Sequence, residues 1–204
     1  MNSYNLNKNI KKIALTALAG VLIGTGVGTI LYANIGGDTV TVFQDGLHSV
    51  LNISYGQASR IYNLALIIIA VICAREYFGS GTIISALIVG YLIDFSYNLL
   101  TMTNTNNNYV TAFIIFLIGQ SIYSLGLSLL IGCKLGMNAL DSVIYKIKEI
   151  TSIDYKIIRF ITDILLTILG YLMGGIVGIG TIISIACTGL MIDTFTKIIK
   201  RGKK

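Results

Sequence analysis

The chain contains no proline and no tryptophan, and a single histidine, His48. It has three cysteines, Cys73, Cys133 and Cys187, with no CxxC spacing. One histidine and dispersed cysteines exclude a His-based metal site and a disulfide framework, so no metal and no cofactor is expected. Without proline, any break in a helix has to come from glycine, of which there are 22. Without tryptophan, the 12 tyrosines are left as the main interfacial anchors. Charge is scarce as well. Only 12% of residues are Asp, Glu, Lys or Arg, against about 25% in an ordinary soluble domain. No nucleophile–base constellation, Walker loop or HExxH is present, and the chain is not expected to be an enzyme. The run Gly24-Thr25-Gly26-Val27-Gly28 has no strand before it and reads as helix packing rather than a phosphate loop.

What the chain has is apolar length. It is 54% hydrophobic over 204 residues, with mean hydropathy +0.80. Apolar blocks at roughly 13–33, 60–79, 81–100, 110–132, 157–175 and 178–197 each match the 20 or so residues that a bilayer crossing takes. They do not alternate as barrel strands would, so the expectation is an all-α polytopic membrane helix bundle of six transmembrane helices in a single membrane domain, 1–204. Lys8, Lys11 and Lys12 precede the first block, which is too long for a signal-peptide core and reads as a retained span. With the N-terminus in the cytoplasm, 14 of the 15 basic residues fall on the inner side and only Arg60 falls outside. That partition predicts a plasma-membrane protein with both termini cytoplasmic. The tail KIIKRGKK then faces anionic inner-leaflet lipid rather than nucleic acid.

The chain also repeats itself. GTIISALIVGYLID (Gly81–Asp94) and GTIISIACTGLMID (Gly180–Asp193) agree at eight of 14 positions, at a constant offset of 99. LYANIGGD parallels IGCKLGMN at offset 100, Tyr55 matches Tyr155, and Arg60 matches Arg159. Repeat 1 is about 13–100 and repeat 2 about 110–199, each with three spans and a short segment after the first. An odd span count makes the second copy run upside down, and inverted repeats of this kind are a common transporter architecture. The short segments, 38–51 and 138–150, are amphipathic and too short to cross. They are read either as interfacial helices or as re-entrant half-helices. Gly36 with Asp38, and Gly136 with Asn138, mark their N-termini, where the Asx side chain can cap and where a solute path could pass.

The stretch GGIVGIGTIISIACTG (Gly174–Gly189), together with YANIGGDTVTVFQDGL in the first half, resembles the signature of the YczE/YyaS/YitT-type bacterial integral membrane proteins. The resemblance covers nearly the whole chain. It departs where members often carry a proline just before the aspartate at the position of Asp38. It implies the fold and a bacterial membrane location, and no particular activity.

Within the repeated sentence, Gly81, Thr82 and Ser85 share one helix side, as do Gly180, Thr181 and Ser184, and close helix packing is the expected use. Asp94 and Asp193 lie on the opposite side, where an ionisable group in a span is paired or functional. Depth along the spans pairs Arg60 with Asp94 at the outer side and Arg159 with Asp193 at the inner side, as gates or as structural bridges. Asp163, one turn beyond Arg159, is the alternative partner. Three functions fit. One is a secondary transporter for a small solute, possible as a homodimer. Another is the substrate-capture subunit of an energy-coupling-factor importer, using the Ala14, Ala17 and Gly20 face. The third is a non-transporting membrane adaptor.

Overall fold

The computed structural model describes residues 3–77, 79–103, 108–133, 135 and 138–201. Gly136 and the chain beyond Arg201 lie outside them. Among the described residues the chain forms eight α-helices. They are α1 (Ser3–Ala33), α2 (Thr39–Leu51), α3 (Tyr55–Cys73), α4 (Ser80–Met102), α5 (Tyr109–Cys133), α6 (Ala139–Thr151), α7 (Tyr155–Leu172) and α8 (Ile179–Arg201). The order long, short, long, long occurs twice.

Five of these helices are long and apolar enough to cross a membrane: Ile10–Ala33, Tyr55–Cys73, Gly81–Met102, Tyr109–Cys133 and Ile179–Ile199. Large apolar side chains such as Leu64, Ile72 and Leu190 point outward from them. This is the surface of an all-helical membrane bundle. The block expected at 157–175 folds as α7, an 18-residue helix carrying Lys156, Arg159 and Asp163. The second block begins earlier than its hydropathy suggests. Ser54 and Gln57 form a reciprocal capping box that starts α3 at Tyr55, and the helix stops at Cys73 rather than 79.

The two longest contacts run along α1, which packs on α5 and on α4. Ile23, Val27 and Leu31 of α1 meet Val89 and Ile93 of α4 in one core cluster. Ile30 and Ala33 meet Phe116 of α5 in another. Gly20, proposed above as a partner-facing position, is instead buried against Ile88 of α4.

The short helices cross over between the two halves. α2 packs on α7, and α6 packs on α3. The chain ahead of each short helix crosses too. Gly180 N–H donates to the Ile35 carbonyl at 2.9 Å, and Gly81 N–H donates to the Leu135 carbonyl at 3.0 Å. The glycine that opens each repeated sentence therefore receives a carbonyl from the other half. Gly36, between Ile35 and α2, has φ +92°, a conformation open to glycine at little cost. The halves part company at one interface. α3 packs along α4, whereas α7 and α8 have no comparable contact.

Candidate functional site

The N-terminus of α2 begins deep in the bundle. Asp38 caps it. Its Oδ1 accepts from Thr41 N at 3.2 Å and from the Thr41 hydroxyl. Its Oδ2 accepts from the Tyr123 hydroxyl, in the middle of α5, at 2.9 Å. From there a polar chain runs across three helices. The Thr39 hydroxyl donates to Asp163 Oδ1 at 2.8 Å, and Asp163 Oδ2 accepts from Arg159 Nε at 3.0 Å. Arg159 Nη1 donates to Asp141 Oδ1 at 2.8 Å, which also accepts from the Tyr155 hydroxyl at 2.8 Å. Tyr62 of α3 is 7% exposed, and its hydroxyl oxygen has no hydrogen-bond partner among the described residues.

These side chains line one cavity of about 890 Å³. Among the described residues its charged lining is four carboxylates, Asp38, Glu76, Asp141 and Asp163, against one guanidinium, Arg159. α1, α4, α5 and α8 add apolar lining, Val27, Val89, Leu127 and Ile185 among it, beside the hydroxyls of Thr82, Ser85, Ser184 and Thr188. The cavity reaches the exposed Glu76 at the end of the bundle where α3 finishes. There Lys146 donates to Glu76 at 2.7 Å and to Glu149 at 2.8 Å. The Lys146 hydrogen bond holds the Glu149 carboxyl below its ordinary range, and the same contacts raise the Lys146 ammonium.

Arg60 and Asp94 are brought together, with Nη2 to Oδ2 at 3.7 Å. The aspartate does more than pair. Asp94 Oδ1 accepts from Gly56 N at 2.7 Å and Asp94 Oδ2 accepts from the Ser54 hydroxyl at 2.8 Å, so it caps α3 from the neighbouring helix. The contact needs glycine. A Cβ on Gly56 would lie 2.0 Å from the Gly90 carbonyl oxygen.

The expected Arg159–Asp193 contact is not formed. Asp141 and Asp163 take Arg159, while Asp193 is exposed and pairs with Lys197 at 2.6 Å, one turn along its own helix. With α7 and α8 not packed together, Arg159 pairs with Asp163 one turn on and with Asp141 of α6, and Asp193 with Lys197 one turn on. Asn138 precedes α6 without a side-chain cap, unlike Asp38. In the packing set, the Ser85 hydroxyl donates back to Gly81 O at 2.8 Å, and Gly178 N–H donates to Thr181 Oγ1 at 3.3 Å. Ser184 donates to Gln120 Oε1 at 3.1 Å, and Gln120 Nε2 reaches Thr188 Oγ1 at 2.6 Å, joining α5 to α8. Thr82, Ser85 and Ser184 also border the cavity.

Sequence reasoning passed over Tyr62, Tyr123 and Thr39. The available signal was a tyrosine amid the polar residues Gln120, Ser121 and Ser124 in an otherwise apolar helix.

Residues 10–197 match the profile of DUF6198, a family of unknown function. The chain belongs to that family. It is 25% identical over 191 residues to an uncharacterized protein of Haemophilus influenzae, covering 94% of this chain and 86% of that one. It is 25% identical over 150 residues to the uncharacterized membrane protein YczE of Bacillus subtilis, 74% of this chain and 68% of YczE. It is 22% identical over 183 residues to the uncharacterized protein YyaS of the same organism, 89% of this chain and 91% of YyaS. The family resemblance read from the two glycine-rich stretches therefore holds for YczE and YyaS. No solved structure matches the chain.

Proposed function

We propose that this membrane protein is a small secondary transporter whose solute binds in the cavity between its two halves. The observation that carries the reading is the cavity itself. It is large enough for a small molecule, and polar side chains from both halves converge in it, Asp38, Thr39 and Tyr62 from one and Asp141, Arg159 and Asp163 from the other. In this reading α7 is the sixth span. Its Arg159 and Asp163 face the cavity, while its outward residues, among them Phe160, Ile164 and Ile168, are apolar. Six spans return both termini to the cytoplasm of a bacterial cell. The two halves are then inverted copies, and α2 is a re-entrant half-helix with its N-terminus at the binding site. The basic residues Arg75, Lys146 and Lys148 lie toward the end that the cavity reaches, which supports an inward-facing state. The contact between α3 and α4 at Asp94 would close the other end.

The test is flux. Purified protein in liposomes is exposed to a metabolite mixture, and the retained compounds are identified by mass spectrometry. Protein-dependent, saturable uptake is expected. It should be lost in Ala86→Trp, which fills the cavity at a lining position. Uptake of no compound, or uptake indifferent to Ala86→Trp, rejects the reading.

A further inference from the structure

We infer that the ligand of this cavity is a small organic cation, a protonated amine with an apolar body, held at the head by Asp38 and the Tyr62 hydroxyl. The inference rests on the cavity being a binding site, and it adds the chemical class.

Charge is the first observation. Among the described residues Arg159 is the one cation in the lining, and it pairs with Asp141 and Asp163. Asp38 receives only neutral donors: Thr41 N–H, the Thr41 hydroxyl and the Tyr123 hydroxyl. No described cation lies in ion-pair contact with it. Among the described residues the lining thus carries more negative than positive charge, and Asp38 is held by hydrogen bonds and the α2 N-terminus with no cation paired to it. Such a field favours a cation and disfavours an anion.

Tyr62 is the second observation, and it is independent of the charge. A buried hydroxyl without a partner is costly and rare. Tyr62 is 7% exposed, borders the cavity and lies within electrostatic reach of Asp38, Arg159, Asp141 and Asp163, three carboxylates to one cation. A ligand ammonium there would donate one N–H to the Tyr62 oxygen and another to the Asp38 carboxylate. The Tyr62 oxygen has no donor among the described residues, Asp38 Oδ2 has one and can accept another, and an ammonium has three to give.

Shape supplies the third. The site is far larger than a metal ion needs, and among the described residues no three His, Cys, Asp or Glu side chains converge as metal ligands. Ile23, Val27, Val89, Leu127 and Ile185 add apolar surface to the lining. An alkyl chain can cover those apolar side chains while its ammonium meets Asp38 and Tyr62.

The experiment is equilibrium binding to the purified full chain, read as a thermal shift and by calorimetry, so that it does not depend on flux. The probes are pentylamine, pentanol and pentanoate, equal in length and differing in head charge. Pentylamine is expected to stabilise the protein in a saturable manner, with pentanol and pentanoate without effect. Tyr62→Phe should weaken pentylamine by about tenfold or more, the range for a hydrogen bond to a charged group. Asp38→Asn should abolish the preference for the amine. The Tyr62→Phe change keeps the ring and its packing; if Asp38→Asn fails to fold, Tyr62→Phe alone still decides. Equal responses to the three probes, a preference for pentanoate, or unchanged binding in Tyr62→Phe (the result if only water meets that hydroxyl) would overturn the inference. Amine binding without liposome uptake would leave this inference standing and reject transport.

Discussion

Asp94 and Asp193 end the same repeated sentence, yet the structure gives them unequal work, and that inequality can be measured. Replacing Asp94 by Asn keeps volume and removes charge. One carboxylate oxygen becomes an NH₂ group that faces either the Gly56 N–H or the Ser54 hydroxyl, now held at 2.7 and 2.8 Å. Losing one charge-assisted hydrogen bond costs about 1.5–3 kcal/mol. Removing the anion from the first turn of α3 costs about 0.3–1 kcal/mol more. The Arg60 contact is long at 3.7 Å and partly exposed, and it adds little. The expected loss is therefore about 2–4 kcal/mol. Asp193→Asn removes an exposed i,i+4 pair with Lys197, worth about 0.3–0.5 kcal/mol at most. Both variants would be unfolded in mixed micelles with increasing SDS and followed by circular dichroism. Equal losses for the two, or the larger loss at Asp193, would refute the assignment of Asp94 as the cap that ties α4 to α3.

Gly56→Ala should be about 1–3 kcal/mol less stable in the same assay, because its Cβ meets the Gly90 carbonyl, which cannot rotate away; a neutral result would show that the crossing of α3 and α4 is looser than described. Arg159→Met leaves Asp141 and Asp163 facing each other without their shared cation, and about 1–3 kcal/mol should be lost, less than for a fully buried pair because all three are partly exposed. Restoring stability by adding Asp163→Asn would confirm that the cost is unpaired charge. Gln120→Leu strands the Ser184 hydroxyl, while Thr188 keeps its bond to the Ser184 carbonyl, and should cost about 1–3 kcal/mol, with hydrogen exchange rising in α8 before α1. The Glu149 carboxyl is held below its ordinary value of 4.5, so it stabilises the fold above that pH and the contribution disappears as pH falls below it. Glu149→Gln should flatten this acid-side dependence in a pH series of melting temperatures.

Much of the scaffold was legible because membrane helices announce themselves by apolar length. The doubling was legible because Gly81–Asp94 and Gly180–Asp193 share their letters. Asp38 as a cap was readable from the glycine–Asx pattern, and Arg60–Asp94 from counting rise along two helices. The same counting failed for Arg159 and Asp193, because residue spacing says nothing about whether α7 and α8 pack together. Asp141 lies on α6, and its arrival at Arg159 depends on how α6 folds back against α7, with only the polarity of α6 as a hint. Tyr62 was invisible for a different reason. A tyrosine in an apolar helix is ordinarily an anchor, and only the lack of a partner for its hydroxyl in the folded bundle marks it out.

The exchange of short helices sets an order of events during synthesis. Thr39 is made 124 residues before the Asp163 it bonds. At about 5–20 residues per second, that is about 6–25 s during which α2 is in the translating chain without its partner. The first half leaves the ribosome with the polar N-terminus of α2 uncovered, and it can settle only when α7 arrives. Co-translational quality control therefore meets this protein as an incomplete unit for most of its synthesis. A chain stopped after α4 should be degraded rather than accumulate as a stable half.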